Sequence, residues 1–214
     1  MQPLPKNIFV TGIGTGVGKT IASAVLVEAL QADYWKPVQC GNLDNSDVRT
    51  VQSLITNAVS SIHPEAYALK TASSPHYAAK QEGMEIDIEK CTAPLTQGHL
   101  IIEGAGGLMV PLNDRECIVD LISALEVPVI LVCRNYLGSI NHTLLSIELL
   151  RQEGIKLLGL IFSGDNYLDN EEVIEHFAQV KMLGRIDEST VINKDFVHQQ
   201  AEYLRLSLSK CYLL

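Results

Sequence analysis

The chain has 214 residues, 47% hydrophobic and 19% charged, and carries a formal net charge of −9. At roughly 100–200 residues per domain this length predicts one domain over 1–214, with enough apolar content to exclude wholesale disorder. The acidic balance sets the chain against nucleic acid and anionic membrane as partners, since both call for a basic face.

Five cysteines (Cys40, Cys91, Cys117, Cys133 and Cys211) are scattered, odd in number and free of any Cys-x-x-Cys pair. This is the usage of a reduced, intracellular protein rather than of a disulfide framework. Met1 to Lys6 leads straight into an apolar run, without the charged region and cleavage site of a secretory signal. No apolar stretch reaches the roughly 20 residues that cross a bilayer. A cytoplasmic protein is expected.

In chain order, short apolar runs alternate with helix-period segments. Ile8-Phe9-Val10 ends at Thr11-Gly12, and residues 19–31 then set Ile21, Val25 and Ala29 beside Ala22, Leu26 and Leu30. Tyr34-Trp35 ends at Lys36-Pro37, and a helix is predicted over 47–57 from Val48, Val51, Leu54 and Ile55. Residues 58–99 lack a clear period and read as helices and loops at one sheet edge. Leu100-Ile101-Ile102 ends at Glu103-Gly104, followed by a helix over 117–126. Val127 to Cys133 is followed by a helix over 141–153, Leu157 to Phe162 by one over 171–181, and Met182-Leu183 by a last helix over about 195–207. Apolar runs this continuous suit strands covered on both faces. The alternation predicts a three-layer α/β fold with a mostly parallel central sheet, whose ligands sit at the carboxyl ends of the strands. No repeat, low-complexity tract or linker marks a domain boundary.

The strongest chemical signal is Thr11-Gly12-Ile13-Gly14-Thr15-Gly16-Val17-Gly18-Lys19-Thr20, between the first strand and the first helix. Glycines let such a loop turn its N–H groups around a polyphosphate, and the helix N-terminus adds its positive end. Lys19 then reaches the β/γ oxygens, and the Thr20 hydroxyl serves as a Mg²⁺ ligand. The spacing is one residue longer than a strict P-loop, because Ile13 stands where the first glycine belongs and Gly12 precedes it. The dinucleotide pattern G-x-G-x-x-G fails at Val17. A glycine-rich turn with no ligand is the alternative, and the Gly-Lys-Thr ending in strand–helix context argues against it.

Two further clusters follow strands: Lys36-Pro37-Val38-Gln39-Cys40-Gly41 with Asn45-Ser46-Asp47, and Glu103-Gly104-Ala105-Gly106-Gly107. A parallel sheet brings both to the edge that carries the glycine loop. Asp47 and Glu103 beside Thr20 offer hard oxygens for Mg²⁺, and Lys36 is a second cation for an anionic substrate or developing charge. Singly, Asp47 also reads as a helix cap and Lys36 as a solvated strand-end charge.

In these motifs and their order, the chain resembles the dethiobiotin synthetases. The likeness runs through Phe9-Val10-Thr11-Gly12-x5-Gly18-Lys19-Thr20, Lys36-Pro37-Val38 and Asn45-Ser46-Asp47. It continues through Ser74-Pro75-His76, Glu103 to Gly107 with Val110-Pro111-Leu112, and Leu137-Gly138-Ser139-Ile140-Asn141-His142. It implies a P-loop NTPase-like enzyme that joins 7,8-diaminononanoate and CO2, with ATP and Mg²⁺, into dethiobiotin, ADP and phosphate through a carbamate and a carbamic–phosphoric anhydride.

Carried over residue by residue, the resemblance gives Lys19 and Lys36 the stabilisation of the carbamate and the moving phosphoryl group. Gly16, Val17, Gly18, Lys19, Thr20 and Ile21 cradle the phosphates, with Glu103, Gly104, Ala105 and Gly106 beside the nucleotide. Thr20, Asp47 and Glu103 bind Mg²⁺, while Thr15 and Cys40 lie against the diamine or carbamate. It further implies a homodimer in which Gly138, Ser139, Ile140 and Asn141 bind the substrate carboxylate from the partner subunit. His142 is expected to be a partly buried ring without chemistry.

The chain departs from the family pattern at three places. Ile13-Gly14-Thr15 stands for Thr-Asp-Thr, Cys40 for a Ser or Thr, and Ser163-Gly164 for an Asn-led pair that contacts the base in some relatives. Two rival readings meet obstacles in the sequence. A ParA/MinD-like ATPase switch carries a signature lysine where this chain has Gly14. A degenerate synthetase kept as a binding module does not fit the intact set Lys19, Lys36, Asp47 and Glu103.

Overall fold

The protein is described by a computed structural model over residues 1–214. Its elements in order are β1 (Gln2–Pro3), β2 (Asn7–Gly12), α1 (Lys19–Leu30), β3 (Asp33–Trp35), β4 (Val38–Cys40), α2 (Asp47–Leu54), β5 (Ile62–His63) and β6 (Tyr67–Leu69). There follow α3 (Pro75–Gln81), β7 (Leu100–Gly107), α4 (Ile118–Leu125), β8 (Val129–Arg134), α5 (Ser139–Gln152) and β9 (Leu157–Ser163). The chain ends with α6 (Asn170–Ala178), β10 (Met182–Ile186), α7 (Lys194–Cys211) and β11 (Tyr212–Leu213).

Seven strands form one sheet in the order β10-β9-β8-β2-β7-β3-β5, every pairing parallel. Along β2 the side chains alternate between two cores. Ile8 and Val10 join the cluster beneath α1 and α7, and Phe9 joins the one beneath α4. Burial on both faces is why these strands read as unbroken apolar runs. A third cluster, with Leu131, Leu160, Phe162 and Ile174, packs α5 and α6 on the remaining sheet. The predicted three-layer α/β fold is thus the observed one. No helix of the chain is long and apolar enough to cross a membrane.

Four expectations need correction. Residues 58–99 are not only helices and loops, because β5 closes the sheet edge against β3 and β6 pairs with β4 in a separate two-stranded sheet. Strands of two and three residues are too short to show a period. Helix α2 stops at Leu54, since Ile55 is already extended (φ −77°, ψ 150°). Helix α7 runs on to Cys211, and the tail then pairs β11 with β1. Finally, α1 is not a one-sided helix: Ala24 and Val27 are as buried as Ala22, Val25 and Leu26, because α7 covers its outer side.

Candidate active site

The carboxyl ends of β2, β3 and β7 meet at one edge, so three stretches distant in sequence share one cleft of about 730 Å³. The loop after β2 enters α1 through Gly18, which is left-handed (φ 91°). A Cβ there would lie 2.3 Å from Ser163 Oγ at the end of β9, so only glycine fits. Val17 is buried in the core, where its Cγ2 would lie 2.5 Å from a Cβ on Gly12. The loop therefore stands on its own apolar foot, and Val17 turns away from the cleft.

Lys19 folds back over the loop and donates to the Gly14 carbonyl at 2.8 Å. Its pKa is lowered to about 8, chiefly by burial and further by Lys36, against the pull of Glu103 and Asp47. Lys36, just beyond β3, is 3% exposed and pairs with Asp47 at 2.9 Å and Glu103 at 3.1 Å. It also donates to the Gly104 carbonyl at 3.3 Å. Burial works to lower its pKa, but Glu103 and Asp47 outweigh it and hold the ammonium above its ordinary value. Burial likewise works to raise the Asp47 pKa, yet Lys36, Thr20 and Lys19 together hold it below the usual carboxylate range.

The Thr20 hydroxyl lies 2.9 Å from Asp47 Oδ1 and 3.0 Å from Glu103 Oε1. It has one proton for two acceptors, so one of these close oxygen pairs has no hydrogen between them. Three convergent oxygens short of a proton form a place for a hard cation. The cluster includes no third His, Cys, Asp or Glu. Two carboxylates and a hydroxyl are a set that suits Mg²⁺, which fills its remaining positions with water and phosphate oxygens.

Of the residues named from sequence, Thr15, Gly16, Gly18, Lys19, Thr20, Ile21, Lys36, Cys40, Asp47, Glu103, Ala105 and Gly106 line the cleft. Gly104 contributes its carbonyl to Lys36 instead. The Cys40 thiol is pushed up to about 11 by burial, which keeps it protonated and a weak hydrogen-bonding surface rather than a nucleophile.

Gly138 to Asn141 do not line this cleft. Ser139 is buried, its hydroxyl accepting from Tyr136 N–H at 3.3 Å and Asn170 Nδ2 at 3.2 Å. The first ladder bond of α5 is made by His142 N–H to Gly138, which leaves the N–H groups of Ile140 and Asn141 ahead of it. His142 itself is exposed, not partly buried as expected, and its ring meets the Tyr136 hydroxyl at 2.7 Å.

Sequence reasoning missed Tyr34 and Gln39. The Tyr34 hydroxyl donates to Glu103 Oε2 at 2.8 Å. Gln39 accepts from Asp47 N–H at 3.3 Å and donates to the Gly41 carbonyl at 3.1 Å, tying the entry of α2 to β4. The spacing alone hinted at Tyr34, which stands two residues before Lys36 as Ile101 stands two before Glu103, but its partner emerges only from the pairing of Tyr34 with Ile101. Two residues along a strand return to the same face. Ser73 and Ser74 also line the cleft, and the Ser74-Pro75-His76 motif had carried no role.

A parallel sheet with a glycine loop, lysine and threonine at the entry of α1 defines a P-loop NTPase, and solved structures agree on the fold. The chain is similar to the septum site-determining protein MinD complexed with Mg-ADP from Pyrococcus horikoshii, with a TM-score of 0.60 at 14% identity, covering 97% of this chain and 96% of that one. A ParA family ATPase from Chlorobium tepidum gives a TM-score of 0.56 at 12% identity, over 96% of this chain and 93% of that one. A family model described as an AAA domain matches residues 6–195. The sequence likeness is far higher to the ATP-dependent dethiobiotin synthetase of Christiangramia forsetii: 51% identity over 205 residues, 96% of this chain and 99% of the relative. The corresponding enzyme of Cytophaga hutchinsonii is 48% identical over 193 residues, 90% of this chain and 93% of the relative. The chain belongs to the dethiobiotin synthetase family.

Proposed function

We propose that this chain, acting as one unit over 1–214 in the cytoplasm, is an ATP-dependent cyclo-ligase that converts 7,8-diaminononanoate and CO2 into dethiobiotin in biotin biosynthesis. One amine adds to CO2 to give a carbamate, and a carbamate oxygen takes the γ-phosphoryl group as ADP leaves. The second amine then attacks the carbonyl carbon, closing the ureido ring and expelling phosphate. A carbamate is a poor electrophile until its oxygen becomes a phosphate leaving group, so the protein's task is positioning and charge stabilisation. The observation that carries this reading is the convergence of Lys19, Lys36, Thr20, Asp47 and Glu103 in one cleft.

Lys19 would leave the Gly14 carbonyl for the β/γ-phosphate oxygens, while the N–H groups of Gly16 to Ile21 surround the phosphates. Lys36, held by two carboxylates, would face the carbamate and the charge that builds on the phosphoryl oxygens. Thr20, Asp47 and Glu103 would hold Mg²⁺. Held there, the ion would supply positive charge to the phosphate oxygens as the γ-phosphoryl group moves. Thr15 and Cys40 would pack against the diamine, with Glu103, Gly104, Ala105 and Gly106 bordering the nucleotide.

The substrate carboxylate would be met by a second copy of the chain. Supporting this, Gly138 to Asn141 lie outside their own subunit's cleft, and Leu137 beside them is 90% exposed. Neighbouring Leu145 is also exposed, an apolar surface suited to a partner. The experiment supplies Mg²⁺-ATP, bicarbonate and diaminononanoate and follows ADP and dethiobiotin, with the mass in solution measured alongside. Equal yields of the two products from a dimer are the expected result. ATP turnover indifferent to the diamine would remove the synthetase reading, and a fully active monomer would remove the cross-subunit carboxylate site.

A further inference from the structure

Tyr34 is wholly buried in β3, in the same core cluster as Leu26, Val51, Leu54 and Ile55. Its hydroxyl reaches through that apolar layer to one acceptor, Glu103 Oε2, at 2.8 Å. The other carboxylate oxygen, Oε1, takes everything from the cleft side: the Thr20 hydroxyl at 3.0 Å and the Lys36 ammonium at 3.1 Å. Glu103 is 1% exposed, so no bulk water competes for either oxygen. Its two oxygens are thus divided, one given to the core and one to the cleft.

This division has a consequence for the ion. Ca²⁺ accepts six to eight oxygens at about 2.3–2.6 Å and takes carboxylates by one oxygen or by both, whereas the near-octahedral Mg²⁺ shell at about 2.0–2.1 Å leaves little room for a two-oxygen carboxylate. We propose that Tyr34 is a positioning residue that commits Glu103 to one-oxygen ligation through Oε1, and so sets the site's preference for Mg²⁺ over Ca²⁺. The inference rests on the Mg²⁺ site proposed above. Tyr34 does not line the cleft, so it acts only through Glu103. A purely structural role, in which the phenol merely finds a partner for its buried hydroxyl, predicts changed stability with unchanged ion selectivity.

The test uses the full chain saturated with a non-hydrolysable ATP analogue and loaded with Mn²⁺, whose bound fraction is read by electron paramagnetic resonance. Mg²⁺ and Ca²⁺ are then added in separate series to displace it. In Tyr34→Phe the displacement ratio is expected to move toward Ca²⁺ by about fivefold or more. Site-specific 3-fluorotyrosine at position 34 keeps the hydroxyl and is expected to keep the wild-type ratio, which covers the case in which the Phe variant fails to fold. An unchanged ratio in folded Tyr34→Phe, or a fluorotyrosine protein that has lost its selectivity, overturns the proposal. Glu103→Gln separates the two readings: unaltered Mn²⁺ affinity in that variant defeats the Mg²⁺ site itself, whatever Tyr34 does.

Discussion

Near its last turn α1 presents Glu28, whose carboxylate accepts from Thr56 N–H at 2.8 Å, Asn57 N–H at 3.2 Å and Asn57 Nδ2 at 3.0 Å, with the Thr56 hydroxyl as a fourth donor. At its first turn the same helix presents Thr20, with one proton between two carboxylates. Four donors match the lone pairs of Glu28, whereas the Thr20 hydroxyl has one proton for two carboxylate oxygens. The first arrangement is complete and locks α1 to the turn that follows α2. The second leaves one oxygen pair without a hydrogen between them, the gap the proposed cation would fill. Glu28 and Asp47 are both partly buried, so burial does not separate a structural acid from a functional one. The balance of donors and acceptors does.

The largest effect is expected where the unbalanced end loses the cation that pairs with both carboxylates. Lys36→Met should cost about a thousandfold in kcat, the scale of losing one preorganised stabilising group, and Lys36→Arg should not restore it. Metal-free Lys36→Met should also unfold more easily, by about 3 kcal/mol, because Glu103 is left buried without its paired counter-charge. Steady-state kinetics and thermal melting read the two effects, and a kcat within tenfold of wild type would show that Lys36 is a structural ion-pair partner after all.

At the balanced end the effect should fall on stability alone. Burial opposes the Glu28 charge, but the Thr56 and Asn57 donors outweigh it and hold its pKa at about 2, below its ordinary 4.5. A depressed carboxyl pKa adds stability that is complete above pH 4.5 and is lost as the pH falls toward 2, up to about 3 kcal/mol for this shift. Glu28→Gln should therefore lower denaturant stability at pH 7 by about 1–3 kcal/mol and flatten the acid limb of the stability curve. Its kcat and KM values should stay within twofold. A large kcat loss would break the contrast between the two ends.

Lys19 gives a smaller, pH-dependent effect. Its pKa of about 8 in the nucleotide-free protein means that phosphate binding must restore a proton as the pH rises past that value. ATP affinity should weaken above pH 8 by at most about tenfold per pH unit. Calorimetry in buffers of different ionisation enthalpy should register proton uptake there, which Lys19→Met should abolish. The smallest effect is expected at Cys40→Ser, which returns a stronger hydrogen-bonding group to the cleft wall. A change of about threefold in KM for the diamine, with kcat unaltered, is the expected outcome.

Local spacing made much of this legible in the sequence. Gly18-Lys19-Thr20 begins six residues after β2 ends at Gly12, and Lys36 and Glu103 each close an apolar run, so a parallel sheet had to bring them together. The parts that were not legible depend on pairing between distant segments. Tyr34 acquires its role only through its register with Ile101 in β7. The strands β5 and β6 exist because β3 and β4 offer them edges. The early stop of α2 follows the clamp by Glu28, a contact across 28 residues.

The central claim is that a carbamate oxygen accepts the γ-phosphoryl group in this cleft. A single turnover with freshly dissolved CO2 labelled with ¹⁸O on both oxygens tests it most directly, since that oxygen must leave with phosphorus when the ring closes. The account predicts one ¹⁸O in each phosphate released and one in the ureido carbonyl of the product. Phosphate free of ¹⁸O, formed alongside dethiobiotin, would contradict it.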